Sequence, residues 1–380
     1  MPRKGLKYSV IIPVYNAERY LLQCLESVAG QTLKDIEIIC VNNGSEDNSL
    51  NLLKKFAKND RRVIYTSIPK SNAGIARNVG LSMASGKYLY FIDSDDFCNK
   101  ELLEECYIKI EKEKSDVLVF AADQFDTISG KYSPMPYSLE IDNLPKKSPF
   151  GPEEIKNKLF NSFQNWPWNK VFRREFIIEN NISFQDVART NDMLFTISAL
   201  AKAKLISVVN KVLVHYRTGN KNSLQSTNYL TPIAFWDAFR EAKKFLHNNG
   251  YYDLYKKSFL NEIMGGLTYN YNSIKDDNAQ KYLYNVIRYG EEIEFGLLKQ
   301  KRDYYWDKDA YDFIRVIVEG KTSDERMIDE LKERNKALED EIKHLEMGIS
   351  EIKNSKSMKI GLAVTSVPRK IESIVKKFNS

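Results

Sequence analysis

The feature that most limits the fold is an alternation running through the first 122 residues. Apolar runs rich in β-branched and aromatic residues occur at 8–12, 36–41, 62–67, 88–92 and 117–121. Helix-like stretches separate them at 18–29, 47–58, 74–84 and 100–114. The second stretch sets Leu50, Leu53 and Phe56 on one face, and the fourth sets Leu102, Leu103, Cys106 and Ile110 on another. Strands that alternate with helices predict an α/β fold, a mostly parallel sheet with helices on both faces.

Beyond residue 122 the rhythm breaks. Residues 124–152 carry Pro134, Pro136, Pro145, Pro149 and Pro152 and read as an irregular excursion. A helix is expected at 153–161, a second at 192–203, and a strand in "LISVVNKVLVHYR". Residues 230–318 are rich in aromatics at helical spacing and read as all-α. The domain reading is a sheet domain at 1–225, a helical region at 226–320, a coiled coil at 321–354 and a basic amphipathic tail at 355–380.

The coiled coil rests on steps of three and four between Ile328, Leu331, Leu338, Ile342, Leu345, Ile349 and Ile352, with Asn335 the polar interruption. Ile or Asn at a, with Leu and a final Ile at d, favours two parallel strands, and a buried Asn fixes register. The expectation is a homodimer through Ile328–Ile352; a helix packed on its own chain is the alternative. In the tail, Lys356, Lys359, Arg369, Lys370, Lys376 and Lys377 face a single acid, Glu372. Such a segment suits an anionic bilayer or folds on its own domain.

Composition removes several classes. No run of 18 apolar residues occurs, so no membrane span is expected, and residues 1–7 lack the apolar core of a signal peptide. Cys24, Cys40, Cys98 and Cys106 have no metal-ligand spacing, and His215, His247 and His344 lie far apart. A reduced cytoplasmic setting fits, with peripheral contact on the inner face of the cell membrane as the role for the tail. The net charge of +6 is mild and comes with no basic-aromatic motif for nucleic acid.

The chemistry converges at one edge. Ligands of an open parallel sheet bind beyond the carboxyl ends of its strands. Four polar clusters arrive there: Pro13-Val14-Tyr15-Asn16, Asn42-Asn43-Gly44-Ser45, Ser71-Asn72-Ala73-Gly74, and Asp93-Ser94-Asp95-Asp96. The last suits Mg²⁺ or Mn²⁺, which take carboxylate oxygens and leave room for phosphates. The competing reading of these acids is a helix-entry turn. Trp166-Pro167-Trp168-Asn169-Lys170 offers aromatic faces for a sugar acceptor, at Trp168 and Lys170, or forms a Trp-rich core segment.

The stretches "SVIIPVYNAERYLLQCLESVAGQT", "VNNGSEDNS", "NAGIARNVGLSMASGKYLYFIDSDD" and "WNKVFRREF", in that order, resemble family-two glycosyltransferases of the GT-A, Rossmann-like fold. The resemblance covers about residues 8–220. It implies that Pro13, Val14, Tyr15 and Glu18 line a nucleotide pocket, and that Asn43 stands where an Asp usually accepts the uracil N3–H. It implies that Arg77 lies near the diphosphate. Asp93-Ser94-Asp95 matches the DXD motif, with the first Asp on the ribose and Asp95 on the metal and diphosphate. Asp192 falls at the catalytic base, and His215 at a position that in some relatives adds a metal ligand. Two departures stand out: the usual "VDDGS" reads "VNNGS", and Asn191 replaces the acid before the base. No "QxxRW" motif of the processive branch occurs.

The resemblance implies inverting, Mn²⁺- or Mg²⁺-dependent transfer from a nucleotide-sugar, of the UDP-sugar kind, to a saccharide or lipid-linked saccharide in surface polysaccharide synthesis. The alternatives are a nucleotidyltransferase and a non-catalytic sugar-nucleotide-binding scaffold. The first usually needs a Gly-rich basic loop, which "PVYNAERY" does not supply; retention of Asp192 weighs against the second.

Overall fold

A computed structural model describes residues 5–219 and 224–320, together with residues 334, 337–347 and 349. The chain divides into two compact units, Met1–Val318 and Glu319–Ser380.

The first unit opens with the expected alternation: β1 (Tyr8–Val14), α1 (Leu21–Ala29), β2 (Ile36–Asn43), α2 (Ser49–Asn59), β3 (Val63–Ile68), α3 (Ala73–Met83) and β4 (Tyr88–Phe91). A short β5 (Phe97–Cys98), α4 (Leu102–Glu113), β6 (Val117–Asp126) and β7 (Lys131–Pro134) follow. Next come β8 (Lys170–Arg173), α5 (Arg174–Glu179), α6 (Met193–Lys202) and β9 (Ile206–Thr218). The helical region holds α7 (Ala234–Asn248), α8 (Tyr252–Ser273), α9 (Asp277–Glu294) and α10 (Lys308–Glu319).

One sheet runs β3-β2-β1-β4-β8-β6-β9-β5, with β7 beside β6. Its first four strands are parallel. β8 then enters antiparallel between β4 and β6, and β9 returns parallel to β6. At four residues β8 is too short to show a period, so the strand is invisible until its partners are known.

Both faces of the sheet are covered, so every residue of β1, β2 and β4 is buried, and period-two alternation sends successive side chains into two cores. Tyr8, Val10, Ile12, Ile38, Cys40, Tyr88 and Tyr90 join one core with Leu21, Cys24 and Leu25 of α1 and Leu103, Cys106 and Ile110 of α4. On the other face Phe91 meets the rings of Phe172, Phe184 and Phe195 at 6.1, 5.0 and 5.4 Å.

The β6–β9 register slips after Phe120↔Val209, resuming at Ala121↔Val212 and Ala122↔Val214. Such a bulge bends a strand and re-aims its side chains. Beyond it, Val214 and His215 pair with Cys98 and Phe97 of β5, directly after the acidic turn.

One expectation changes. The helix expected at 153–161 is a short 3₁₀ turn, Pro152–Ile155, followed by turns. Its apolar residues act as separate pegs: Phe160 is buried against Tyr255 and Phe259 of α8. The helical region also packs directly on the sheet domain. The Phe160 N–H donates to Ser258 Oγ at 2.8 Å, and Glu262 accepts from Asn161 at 2.9 Å and Asn165 at 2.7 Å. Burial pushes the Glu262 carboxyl up to about 7.

In the second unit, residues 337–347 are helical, and Leu338, Ile342, Leu345 and Ile349 are 50, 55, 61 and 50% exposed. Ile328, Leu331, Asn335 and Ile352 of the heptad series, and the 355–380 tail, lie outside the described residues. Among the described residues no helix is long and apolar enough to cross a membrane.

Candidate active site

Helix α3 is the frame of the site. Asn72 caps its start, accepting from the Ile75 N–H at 3.0 Å, and its amide reaches Asp186 at 2.7 Å. Asn78 exchanges hydrogen bonds with both backbone groups of Phe184, at 2.9 Å each. At Gly74 a Cβ would fall 2.3 Å from the Gln185 carbonyl oxygen and 2.9 Å from Asn191 Cβ, so the 184–191 segment lies against the helix only because residue 74 has no side chain.

Arg77 points from the same helix between two parts of the site. Nη2 donates to Asp93 Oδ1 at 2.6 Å and Nη1 to Asn191 Oδ1 at 2.8 Å. The residue is 6% exposed, and its Nε lacks a partner among the described residues. One cation thus ties the first acid after β4 to the residue preceding Asp192.

Asp192 stands at the entry of α6, partly exposed. Burial among protein atoms pushes its carboxyl up to about 6, against the pull of Arg77 and with a further push from the Asp93 charge. A carboxylate with this affinity is suited to taking a proton near neutral pH.

The acidic turn is asymmetric. Asp93 and Asp95 keep exposed surface, while Ser94 is 9% and Asp96 1% exposed. Asp96 turns inward and accepts from the Arg217 N–H at 2.7 Å; its other oxygen has no partner among the described residues. Burial, then the charges of Asp95 and Asp93, raise its carboxyl well above the usual range. The mutual repulsion of the trio is therefore eased from within by two arginines, Arg77 and Arg217.

The residues expected to line a nucleotide pocket divide. Pro13 and Val14 are buried in β1, and Tyr15 is 40% exposed with Lys70 Nζ 5.0 Å from its ring centroid. Glu18 joins two loops: its carboxylate accepts from the Asn48 N–H at 2.9 Å, and its own N–H donates to Asp47 at 2.9 Å. Asn43 closes on Ser71. Its Oδ1 accepts from the Ser71 N–H at 2.9 Å and hydroxyl at 2.8 Å, and its Nδ2 donates to the Ser71 carbonyl at 3.1 Å. Both lone pairs of Oδ1 and one N–H of Nδ2 are thus engaged by Ser71.

Three further expectations need correction. His215 Nδ1 faces Asp123 Oδ1 at 2.6 Å and Nε2 faces Asn99 Oδ1 at 3.0 Å. The Asn99 amide nitrogen is already committed to the Val212 carbonyl, so both ring nitrogens are engaged by side-chain oxygens, of Asp123 and Asn99. Trp168 is 4% exposed, stacked between Trp166 at 4.8 Å and Tyr216 at 5.6 Å. Lys170 is fully buried, and its ammonium meets the carbonyls of Phe163, Gln164 and Trp166 and Asn169 Oδ1 at 2.7–3.0 Å. Neither residue is an open acceptor surface. For Tyr216, the outer ring of that stack, burial and then the charges of Asp96, Asp95 and Asp93 raise the hydroxyl's affinity for its proton.

Residues 9–180 match the model of Glycosyl transferase family 2. The cholesterol galactosyltransferase of Borreliella burgdorferi is 31% identical over 273 residues, 67% of this chain and 72% of that protein. The chain belongs to glycosyl transferase family 2. The Bacillus subtilis glycosyltransferase EpsJ is 31% identical over 58% of this chain, which spans 63% of its length. Staphylococcus aureus TarS, a poly(ribitol-phosphate) β-N-acetylglucosaminyltransferase, is 28% identical over 68% of this chain, which spans 44% of TarS. The structure of TarS 1–349 in complex with UDP-GlcNAc superposes with a TM-score of 0.61 at 24% identity, covering 78% of this chain and 82% of that one, and so shares its fold.

Against the family's usual pattern, both departures have a local reason. An Asp at 43 would set a carboxylate against the Ser71 carbonyl, where Asn43 now donates. An acid at 191 would compete with Asp93 for Arg77, where the Asn191 carbonyl now accepts without charge. Residues that the sequence reading passed over, Arg217 and Tyr216, sit two places and one place after His215 in "VHYRTG".

Proposed function

We propose that the protein is an inverting glycosyltransferase that moves a sugar from a nucleoside diphosphate to a saccharide or lipid-linked saccharide hydroxyl in surface polysaccharide synthesis. The observation that carries this reading is the Asp93–Arg77–Asn191 chain, which leads to Asp192 with its carboxyl pushed up to about 6. A sugar hydroxyl is a poor nucleophile at neutral pH. Asp192 takes its proton as it attacks the anomeric carbon, an assistance worth about 10²–10⁴ in rate. A single base of this kind corresponds to one displacement with inversion.

Among the described residues no three acid, His or Cys side chains gather into a ready-made metal site. A GT-A type cation does not need one. Mg²⁺ and Mn²⁺ bind by one or two carboxylates, completed by substrate phosphates and water. Asp95, with Asp93 beside it, fits that donor set, and the bound cation would supply charge stabilisation for the departing diphosphate. Arg77 adds its positive field at the same edge.

TarS in complex with UDP-GlcNAc supports a uridine donor and an N-acetylhexosamine as first choices to test. The screen is release of nucleoside diphosphate from UDP-GlcNAc, UDP-Glc and UDP-Gal with Mn²⁺. Asp192→Asn is expected to bind nucleotide and form no product. Unchanged turnover in that variant would remove Asp192 from the mechanism.

A further inference from the structure

The acidic turn carries the donor in the reading above, yet it joins β4 to a strand of only two residues. What holds it lies across the fold, in Arg217 near the end of β9. The Arg217 N–H donates to Asp96 Oδ1 at 2.7 Å, and its Nε donates to the Asp95 carbonyl at 2.5 Å. Nη2 donates to Gln23 Oε1 on α1 at 2.6 Å. The guanidinium lies 4.5 Å from the Tyr20 ring centroid, 5.2 Å from Phe97 and 5.4 Å from Phe125. The residue is 5% exposed.

This burial excludes direct contact with a diphosphate in solvent reach. The rings close the cation in; its Nε is aimed at the Asp95 carbonyl, while the main-chain N–H of the same residue holds the Asp96 carboxylate. A guanidinium serves several partners from one rigid plane; an ammonium does not. We propose that Arg217 is the positioning residue of the acidic turn: it pins the Asp95 peptide and the inward Asp96 so that the Asp95 carboxylate is presented to the cation and diphosphate of the donor. The Gln23 bond ties the same turn to α1, which follows the nucleotide-side loop.

The inference rests on the donor reading above, and its test separates the two. Full-length wild type, Arg217→Lys and Gln23→Ala are titrated calorimetrically with UDP across a series of Mn²⁺ concentrations, with thermal unfolding followed in parallel. Loss of an outer support of a metal ligand usually costs about 10–100-fold in metal affinity. The Mn²⁺ concentration giving half-maximal UDP binding should rise about tenfold in Arg217→Lys, and by a smaller factor in Gln23→Ala. A role confined to packing would lower the unfolding temperature and leave this Mn²⁺ dependence in place. A folded Arg217→Lys with wild-type Mn²⁺ dependence overturns the inference. Should that variant not fold, exposed Gln23 decides: an unaltered Mn²⁺ dependence in Gln23→Ala overturns it equally. Wild-type protein that binds no UDP at any Mn²⁺ concentration overturns the donor reading, and this inference with it.

Discussion

Arg77 and Asp93 form an ion pair of 2.6 Å across the carboxyl end of the sheet, with the arginine on α3 and the acid after β4. The same guanidinium reaches Asn191 at 2.8 Å, so the acid after β4 and the residue before Asp192 share one cation. Lysine keeps the charge but cannot span both partners. Arg77→Lys should therefore lower kcat/KM about 10²-fold, the scale of a 1 Å misplacement of a reacting group. Steady-state kinetics within twofold of wild type would show the bridge to be idle.

The Asp192 carboxyl gives a pH signature with a defined sign. Only the ionised form accepts a proton, so transfer should rise with pH to a plateau, with a midpoint of about 6. The stability effect runs the other way. The folded protein holds this proton more tightly than the free value of 3.8 allows, so stability is fullest below about 4 and declines as pH climbs through 6. Asp192→Asn should lose activity and, at pH 8, unfold at a higher urea concentration than wild type. A lower midpoint there would mean that the ionised carboxylate stabilises the fold.

How much of this was legible beforehand depends on separation in sequence. The strands β1 to β4 and helices α1 to α4 repeat local patterns, and the acidic turn announces itself by composition. The position of Asp192 followed from resemblance, with its neighbours in the chain as the guide. What Asn43, Lys170, His215 and Arg217 do was not readable, because each is decided by partners brought up from elsewhere. Asn43 answers to Ser71, His215 to Asp123 and Asn99, and Arg217 to Gln23 and Asp96. A polar side chain's residue type says which bonds it can make; the tertiary fold chooses among them.

Asn43→Asp restores the family's usual acid and tests that point. It replaces a donor facing the Ser71 carbonyl with a second acceptor, which sets a negative charge against that carbonyl. Equilibrium unfolding should show a loss of about 1 kcal/mol. A gain in stability would show that Asn43 is not closed on Ser71.

Lys170 offers a cleaner contrast between support and acceptor binding. Its ammonium satisfies three backbone carbonyls and Asn169 Oδ1. Burial holds its affinity for a proton well below the usual value, with Asp192 and Glu262 pulling the other way. Lys170→Met fills similar space and leaves those oxygens unpaired, so it should cost about 3 kcal/mol or more in chemical denaturation. A fully stable variant with a raised acceptor KM would return Lys170 to the acceptor site.

The helix at 337–347 sets a prediction for assembly. Leu338, Ile342 and Leu345, with Ile349 beyond, keep half or more of their surface exposed. They fall at spacings of four, three and four, which form one stripe on a helix. Four large aliphatic side chains in a row lose several kcal/mol of burial if left in water, at about 1.5–3 kcal/mol for each fully covered side chain. Cover from a second copy agrees with the heptad register that continues toward Ile328 and Ile352, and Asn335 would set that register at a cost in stability. Light scattering should give the full chain twice the monomer mass, and a chain ending at Lys321 the monomer mass. Substituting Leu338 and Leu345 with Lys should split the full-length assembly while donor hydrolysis persists. Identical stoichiometry in all three proteins would leave the stripe without a partner copy.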